Sequence, residues 1–413
     1  MRERLPKILF EICQELEERD IETWVQGDAL LHALSPRRAE TSLDTRSSAR
    51  PTACLVCRAN PEEVLAALPR AVVTASRARR LTLAAPSGPI DLLPVGRRDL
   101  ESVLLDFGLG TLALAYRPAD QEWCDPSGAR GDLENGHLDL ACAERNPFAG
   151  APRRYWITAR LLAEHDLTPS TALVEAARRA LPSALETLPQ GAPARRELSR
   201  VLASGSGARG LAFLREAGIT AALFPGASPA NEEVVDRLEA VPGLRWAVWL
   251  RGSALQSALV RLRMPIALAR RIERIHRAHP IDQSVESLRD AGIRRTVARL
   301  DDAEIRGLLA WRRIELDATH PTDGTRTRSK RLDDVETRIA EFHAQRERSG
   351  RVRALALDGK AVMEALGSGP GPHVGRALAH LAGFIETHPE ANESDALARE
   401  LRAWADKNSD PIR

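Results

Sequence analysis

The chain has 413 residues and 45.2 kDa, with 43% hydrophobic and only 4% aromatic residues. That length suits two to four packed units rather than one core, and the cores must rest on Leu, Ala and Val. Its net charge of +2 excludes neither nucleic acid nor small molecules as partners. No apolar run is long enough to span a bilayer, and the first 20 residues carry charges throughout and lack a secretory core. Five scattered cysteines, at 13, 54, 57, 124 and 142, argue against a disulfide framework, so a cytoplasmic, reduced protein is expected. The only lysines are Lys7, Lys330, Lys360 and Lys407. The other fixed cations are arginines, whose forks suit phosphate and base edges, though a GC-rich genome gives the same bias.

Leu5, Ile8, Leu9, Ile12 and Leu16 recur at helical spacing over residues 4–19. A strand is predicted at 22–25, then Gly27 and a helix over 28–34. Residues 35–51 are polar and read as a loop. A short apolar strand comes next, at 52–58. It carries Cys54-x-x-Cys57, whose side chains point to opposite faces and argue against shared metal ligation. Asn60 caps a helix opened by Pro61. Further strands are predicted at 72–73, 80–84 and 89–94, which makes a small α/β head. From Asp139 onward the pattern is helical. Candidate helices are 153–165, 170–181, 194–203, 207–217, 230–239, 255–262, 265–277, 283–292, 294–298, 302–314, 332–347, 360–366, 372–387 and 393–406. Residues 312–331, polar and basic, read as a mobile loop or hinge. His276 and His279 lack an adjoining Asp and read as exposed helical histidines.

Four groups of residues occur in a telling order. They are Trp24-Val25-Gln26-Gly27-Asp28-Ala29-Leu30-Leu31, Asn60-Pro61-Glu62-Glu63-Val64, Asp125-Pro126-x-Gly128 with Asp132-Leu133, and Leu357-Asp358-Gly359-Lys360 with Gly369-Pro370-Gly371-Pro372-His373-Val374-Gly375 after it. Together they resemble the motifs of the class II tRNA nucleotidyltransferases, the CCA-adding enzymes, and their bacterial poly(A) polymerase relatives. The resemblance covers roughly residues 20–400. It implies an α+β protein: a small nucleotidyltransferase head of the polymerase-beta-like kind, then an all-helical neck, body and tail. The expected divisions are 1–138, 139–225, 226–330 and 331–413.

The same alignment shows departures at most of the catalytic positions. Thr52 and Cys54 stand where the family carries its metal-binding Asp-x-Asp. Two-metal phosphoryl transfer needs hard oxygen ligands for Mg²⁺, and neither a neutral hydroxyl nor a soft thiol replaces an Asp. Asp91 matches the third carboxylate, or is a strand-end Asp in a turn. Asp44 lies in the loop upstream. Leu104 and Leu105 replace two phosphate-facing arginines ahead of the retained Asp106 and Phe107, and Gly110 replaces an Asn. Gly27 keeps the phosphate turn, which in the family opens a helix toward the nucleotide. In the neck, Arg154 and Arg160 survive from the nucleotide-reading motif, while its template Asp has become Ala151. Arg195, Arg196, Arg200, Gly371 and Arg376 are candidate RNA contacts, with a solvated mixed face or a tight interhelical turn as the alternatives.

The resulting expectation is a tRNA nucleotidyltransferase-like protein that has lost nucleotidyl transfer and binds tRNA or another structured RNA. No catalytic set is intact, no metal site is expected, and Mg²⁺ with ATP or CTP enters only if the chain is active. An active, divergent CCA- or A-adding enzyme using Asp91, Asp106 and Asp44 is the first alternative. A scaffold pairing with a true family enzyme through Leu30, Leu31, Leu104 and Leu105 is the second. No membrane is expected as a partner.

Overall fold

The computed structural model describes residues 4–34, 53–75, 80–85, 88–283, 290–348 and 355–407. Two units are distinguished, 1–269 and 270–413. Among the described residues no helix is long and apolar enough to cross a membrane.

The first unit begins with α1 (Lys7–Glu17), whose Leu9, Ile12, Cys13 and Leu16 form one buried face. β1 (Thr23–Gly27) is buried along its whole length and runs directly into α2 (Asp28–Leu34). β2 (Ala53–Cys57) leads to α3 (Pro61–Ala67). That helix starts where it does because Asn60 and Glu63 form a reciprocal capping box, with Asn60 Oδ1 accepting from Glu63 N and Glu63 Oε2 from Asn60 N. β3 (Ala71–Ala75), β4 (Arg80–Leu83) and β5 (Ile90–Pro94) come next, then α4 (Leu100–Leu105), β6 (Ala115–Arg117), β7 (Glu122–Cys124) and α5 (Ala129–Glu134). The sheet order is β3-β4-β5-β2-β1-β6-β7. β2 and β5 run parallel, and the other pairs are antiparallel.

Period-two alternation splits the sheet into two faces. Val25, Leu55, Cys57, Ile90 and Leu92 pack with residues of α1, α2 and α3. Trp24, Val56 and Leu93 pack with Val103 and Leu104 of α4. Each such Leu, fully buried, contributes about 1.5–3 kcal/mol relative to exposure.

Helices take over beyond the parallel pair of β8 (His137–Leu138) and β9 (Thr168–Pro169). They are α6 (Pro147–Gly150), α7 (Arg154–His165), α8 (Thr171–Ala184), α9 (Ala192–Ala203), α10 (Gly207–Glu216), α11 (Ile219–Leu223), α12 (Pro229–Asp236), α13 (Leu244–Trp249) and α14 (Leu255–Arg261). The unit boundary falls inside α15 (Ile266–Ala278).

The second unit holds α16 (Asp290–Arg299), α17 (Asp302–Asp317), α18 (Asp323–Arg348), α19 (Gly359–Leu366), α20 (Pro372–Thr387) and α21 (Ser394–Lys407). Val362, Ala377, Leu381, Leu397 and Leu401 form the core shared by the last three. Two expectations are corrected here. Residues 312–331 are not a loop or hinge: they lie mostly in α17 and α18. The polar sequence is held helical by charges, since Arg313 pairs with Asp333 and Glu336 across the two helices and Arg326 with Asp323 along one. Neither His276 nor His279 is exposed: His276 is half-buried with its Nε2 enclosed, and His279 is buried. It is 6% accessible, its ring stacks on Trp311 at 3.6 Å, and Nε2 lies 2.9 Å from Glu315 Oε2.

Candidate active face of the head

Register gathers the motif positions into one rung. β1–β2 pairing sets Gln26 opposite Cys54, β2–β5 pairing sets Cys54 beside Asp91, and β4–β5 pairing sets Asp91 opposite Thr82. The rung shares a face with Trp24, Val56 and Leu93. Cys54 and Asp91 are half-buried. Asp91 Oδ1 accepts from Thr82 Oγ1 at 3.2 Å, and Gln26 Nε2 donates to the Leu112 carbonyl at 2.5 Å. Thr52 and Asp44 lie outside the described residues. The rung thus presents one carboxylate and one thiol. Among the described residues no three His, Cys, Asp or Glu side chains could share a metal ion. This donor set does not fit a pair of Mg²⁺ ions.

The turn after β1 is kept. Gly27 has φ 87°, a left-handed conformation that costs glycine nothing. The helix it opens is not built as a phosphate cradle. Asp28, the first residue of α2, is 5% exposed and carries a buried carboxylate. Its Oδ1 accepts from Arg160 Nη2 at 3.0 Å and its Oδ2 from Arg200 Nη1 at 3.3 Å. Glu164 joins both arginines, with Oε2 2.8 Å from Arg160 Nη1 and Oε1 2.6 Å from Arg200 Nε. Glu197 Oε2 lies 2.7 Å from Arg160 Nε, close enough for an ion pair but out of line for a hydrogen bond. Burial pushes the Asp28 carboxyl up, yet Arg160 and Arg200 outweigh it and hold the group below the usual carboxylate range. Burial opposes the charge on Arg160, and its three carboxylates more than compensate. His165 sits alongside, 2% exposed, with its ring edge-on to His32 at 5.3 Å. Burial, then His32, push the His165 imidazole down to about 4.

The two surviving neck arginines therefore face inward. Arg160 is buried in this cluster rather than free for a nucleotide edge. Arg154 is half-buried and donates from Nη1 to the Pro147 carbonyl at 2.8 Å and from Nη2 to the Asp106 carbonyl at 2.7 Å. Gly108 makes room for it: a Cβ there would stand 3.2 Å from Arg154 Nη1 and 2.5 Å from Pro147 Cβ. The Asp106 side chain is claimed by Arg98 at 2.8 Å and Arg145 at 2.6 Å. Leu30, Leu31 and Leu104 are fully buried, and Leu105 is partly buried against the same core as Leu104. Asp125 accepts from the amides of Ala129 and Arg130, so that motif serves to start α5.

The candidate RNA contacts divide in the same way. Arg200 belongs to the buried cluster. Arg195 donates to the carbonyls of Leu262, at 3.0 Å, and of Arg263. Arg196 is exposed. In the second unit, Arg376 is exposed on α20, and Gly371 precedes that helix in an extended conformation, tight against the His373 ring. Asp28, Glu164 and Glu197 were not singled out by the sequence. The i,i+4 spacing of Arg160 and Glu164 was the one local signal available.

No family model and no curated protein matches the sequence. Solved structures do. The CCA-adding enzyme of Bacillus stearothermophilus in complex with CTP superposes with TM-score 0.66 at 17% identity, over 97% of each chain. The Thermotoga maritima CCA-adding enzyme complexed with tRNA gives 0.62 at 16%, again over 97% of each chain. A structure described as a tRNA-processing enzyme gives 0.55 at 13%, over 80% of this chain and 98% of that one. From the rung of the head to the last helices, this chain has the fold of the class II CCA-adding enzymes.

Proposed function

We propose that this chain is a tRNA nucleotidyltransferase-like protein that binds tRNA or a similarly structured RNA and does not transfer nucleotides. One observation carries the reading: the described positions where the resemblance calls for chemistry are turned to internal contacts or lack the ligands. Cys54 faces a single carboxylate, Asp91, Leu104 is in the core, and Arg154 holds two backbone carbonyls. The overall fold, shared with enzymes solved with tRNA and with CTP, supports retention of an RNA-binding surface. Exposed Arg196 and Arg376 are its candidate contacts, and phosphate contacts of this kind weaken steeply with salt.

The active-enzyme alternative would draw on Asp91, Asp106 and Asp44; Asp106 is already paired with two arginines, and Asp44 lies outside the described residues. The scaffold alternative rested on four leucines, three of which are fully buried and offer no partner a surface. The test is binding of full-length tRNA, with and without its CCA end, over a salt series, with labelled ATP and CTP added alongside Mg²⁺ or Mn²⁺. Salt-dependent binding without extension is the expected result. Incorporation of label overturns the reading, and absence of any binding removes the RNA.

A further inference from the structure

We propose that the head carries a second ligand site, at the end of the sheet away from the Cys54–Asp91 rung, which takes a small phosphorylated molecule. An open cleft of about 710 Å³ lies there, a size usual for small-ligand sites. Three connections converge on it. Arg19, Asp20 and Ile21 come from the α1–β1 turn, Arg58, Ala59 and Asn60 from the end of β2, and Gly96 and Arg97 from the end of β5. β2 and β5 are the parallel pair of the sheet, and the cleft lies just beyond their carboxyl ends. Arg58 is four residues from Cys54 along the chain, roughly 13 Å at about 3.3 Å per residue, so the two sites are separate.

The chemistry of the lining indicates the ligand. Three guanidiniums, Arg19, Arg58 and Arg97, come from three different connections and face one opening. Arg97 is exposed and has no partner among the described residues. Arg58 is only loosely held by Glu22 at 3.4 Å, and Arg19 uses one Nη1 on the Ala66 carbonyl. Of the two carboxylates in the lining, Glu63 is engaged with the Asn60 amide, which leaves Asp20 at the rim. Buried Ile21, Ala59 and Ala67 provide a small apolar floor. The walls are braced before any ligand arrives: Arg58 N donates to Glu22 O at 2.9 Å, and Gly96 N to Ala59 O at 2.9 Å. Guanidinium forks over an apolar floor suit a phosphate on a flat, weakly polar body.

Isothermal titration of the full chain with AMP, adenosine and inorganic pyrophosphate tests this. AMP is expected to bind, adenosine to bind at least tenfold more weakly, and Arg97→Glu and Arg19→Ala each to weaken AMP at least tenfold with unchanged circular dichroism. Arg130→Ala, on an exposed residue outside the cleft lining, is expected to leave AMP binding unaltered. No binding of AMP or pyrophosphate at millimolar concentration overturns the proposal, as does AMP binding insensitive to Arg97 and Arg19. If Arg97→Glu weakens tRNA and not AMP, the cleft is an RNA contact and the small-molecule assignment falls. The site does not depend on the RNA-binding reading, which is tested by tRNA binding over a salt series, so the two can fail separately.

Discussion

Replacing Arg160 with methionine removes one of two cations from a buried cluster that holds three carboxylates. Asp28, 5% exposed, and Glu164 would then share Arg200 alone, and Glu197 would lose its pair, while the methionine keeps most of the packing stem. Breaking a buried pair from one side costs about 3–5 kcal/mol. A unit of this size loses about 2–4 °C per kcal/mol, so its melting temperature is expected to fall by roughly 10 °C. Asp28→Asn is milder, because two arginines then face two glutamates. It gives up two charge-assisted hydrogen bonds and is expected to cost about 2–3 kcal/mol. The pH dependence separates the two further. The Asp28 carboxyl is held below its ordinary range, so its contribution is full above about pH 4 and is lost as pH falls through the lowered value. Asp28→Asn is expected to flatten that acid limb. Scanning calorimetry at neutral pH, repeated down to acid, reads both effects in the first unit's transition. An Arg160→Met variant within about 1 kcal/mol of the parent, or one more stable than Asp28→Asn, would refute the coupling described here.

Other outcomes rest on single environments. His165 is neutral in the fold, with its imidazole pushed down to about 4. Between about pH 6.5 and 4 the unfolded chain therefore takes up a proton that the fold refuses, and stability drops by about 3 kcal/mol; His165→Phe should abolish that part of the acid slope in urea titrations. Gly108→Ala forces a Cβ against Pro147 at a φ of 81°, and a loss of about 2–4 kcal/mol is expected by thermal melt. Arg245 is buried and donates to the carbonyls of Leu202, Ser204 and Leu238. Arg245→Met leaves these acceptors orphaned and is expected to cost about 3 kcal/mol by urea denaturation. Cys54→Asp alone is expected to restore no labelled-nucleotide incorporation, because Arg154 stays on its carbonyls.

Elements with a clean period were legible from the sequence. The predicted helix 372–387 coincides with α20, and Asn60 caps α3 as its position before Pro61 implied. Elements whose environment is uniform were not. Leu244–Trp249 is buried on every side and shows no apolar stripe, so α13 was missed. Residues 312–331 failed because their buried apolar anchors sit at the two ends, Ile314 and Leu316 before and Leu332 and Val335 after, with the polar stretch between held partly by ion pairs. β6 and β7, three residues each, are too short for alternation to register. At the site, motif order located Cys54 and Asp91, and the sheet register joins them. The fate of Arg160 could not be read, because its partner Asp28 lies 132 residues away. The same holds for Leu104, whose burial depends on Trp24 and Val56 from strands far upstream.

The cluster also sets a clock on synthesis. The head is made first, and its sheet can form while the rest of the chain is still absent. Asp28 cannot be satisfied then: Arg160 arrives 132 residues later and Arg200 172 residues later. At about 5–20 residues per second, the nascent head waits roughly 10–30 s with that carboxylate unpaired. Through that interval the Asp28 end of α2 lacks the neck arginines, while Ala29, Leu30 and Ala33 pack within the head. The turn at Gly27 and Asp28 is thus completed only once the neck has been made.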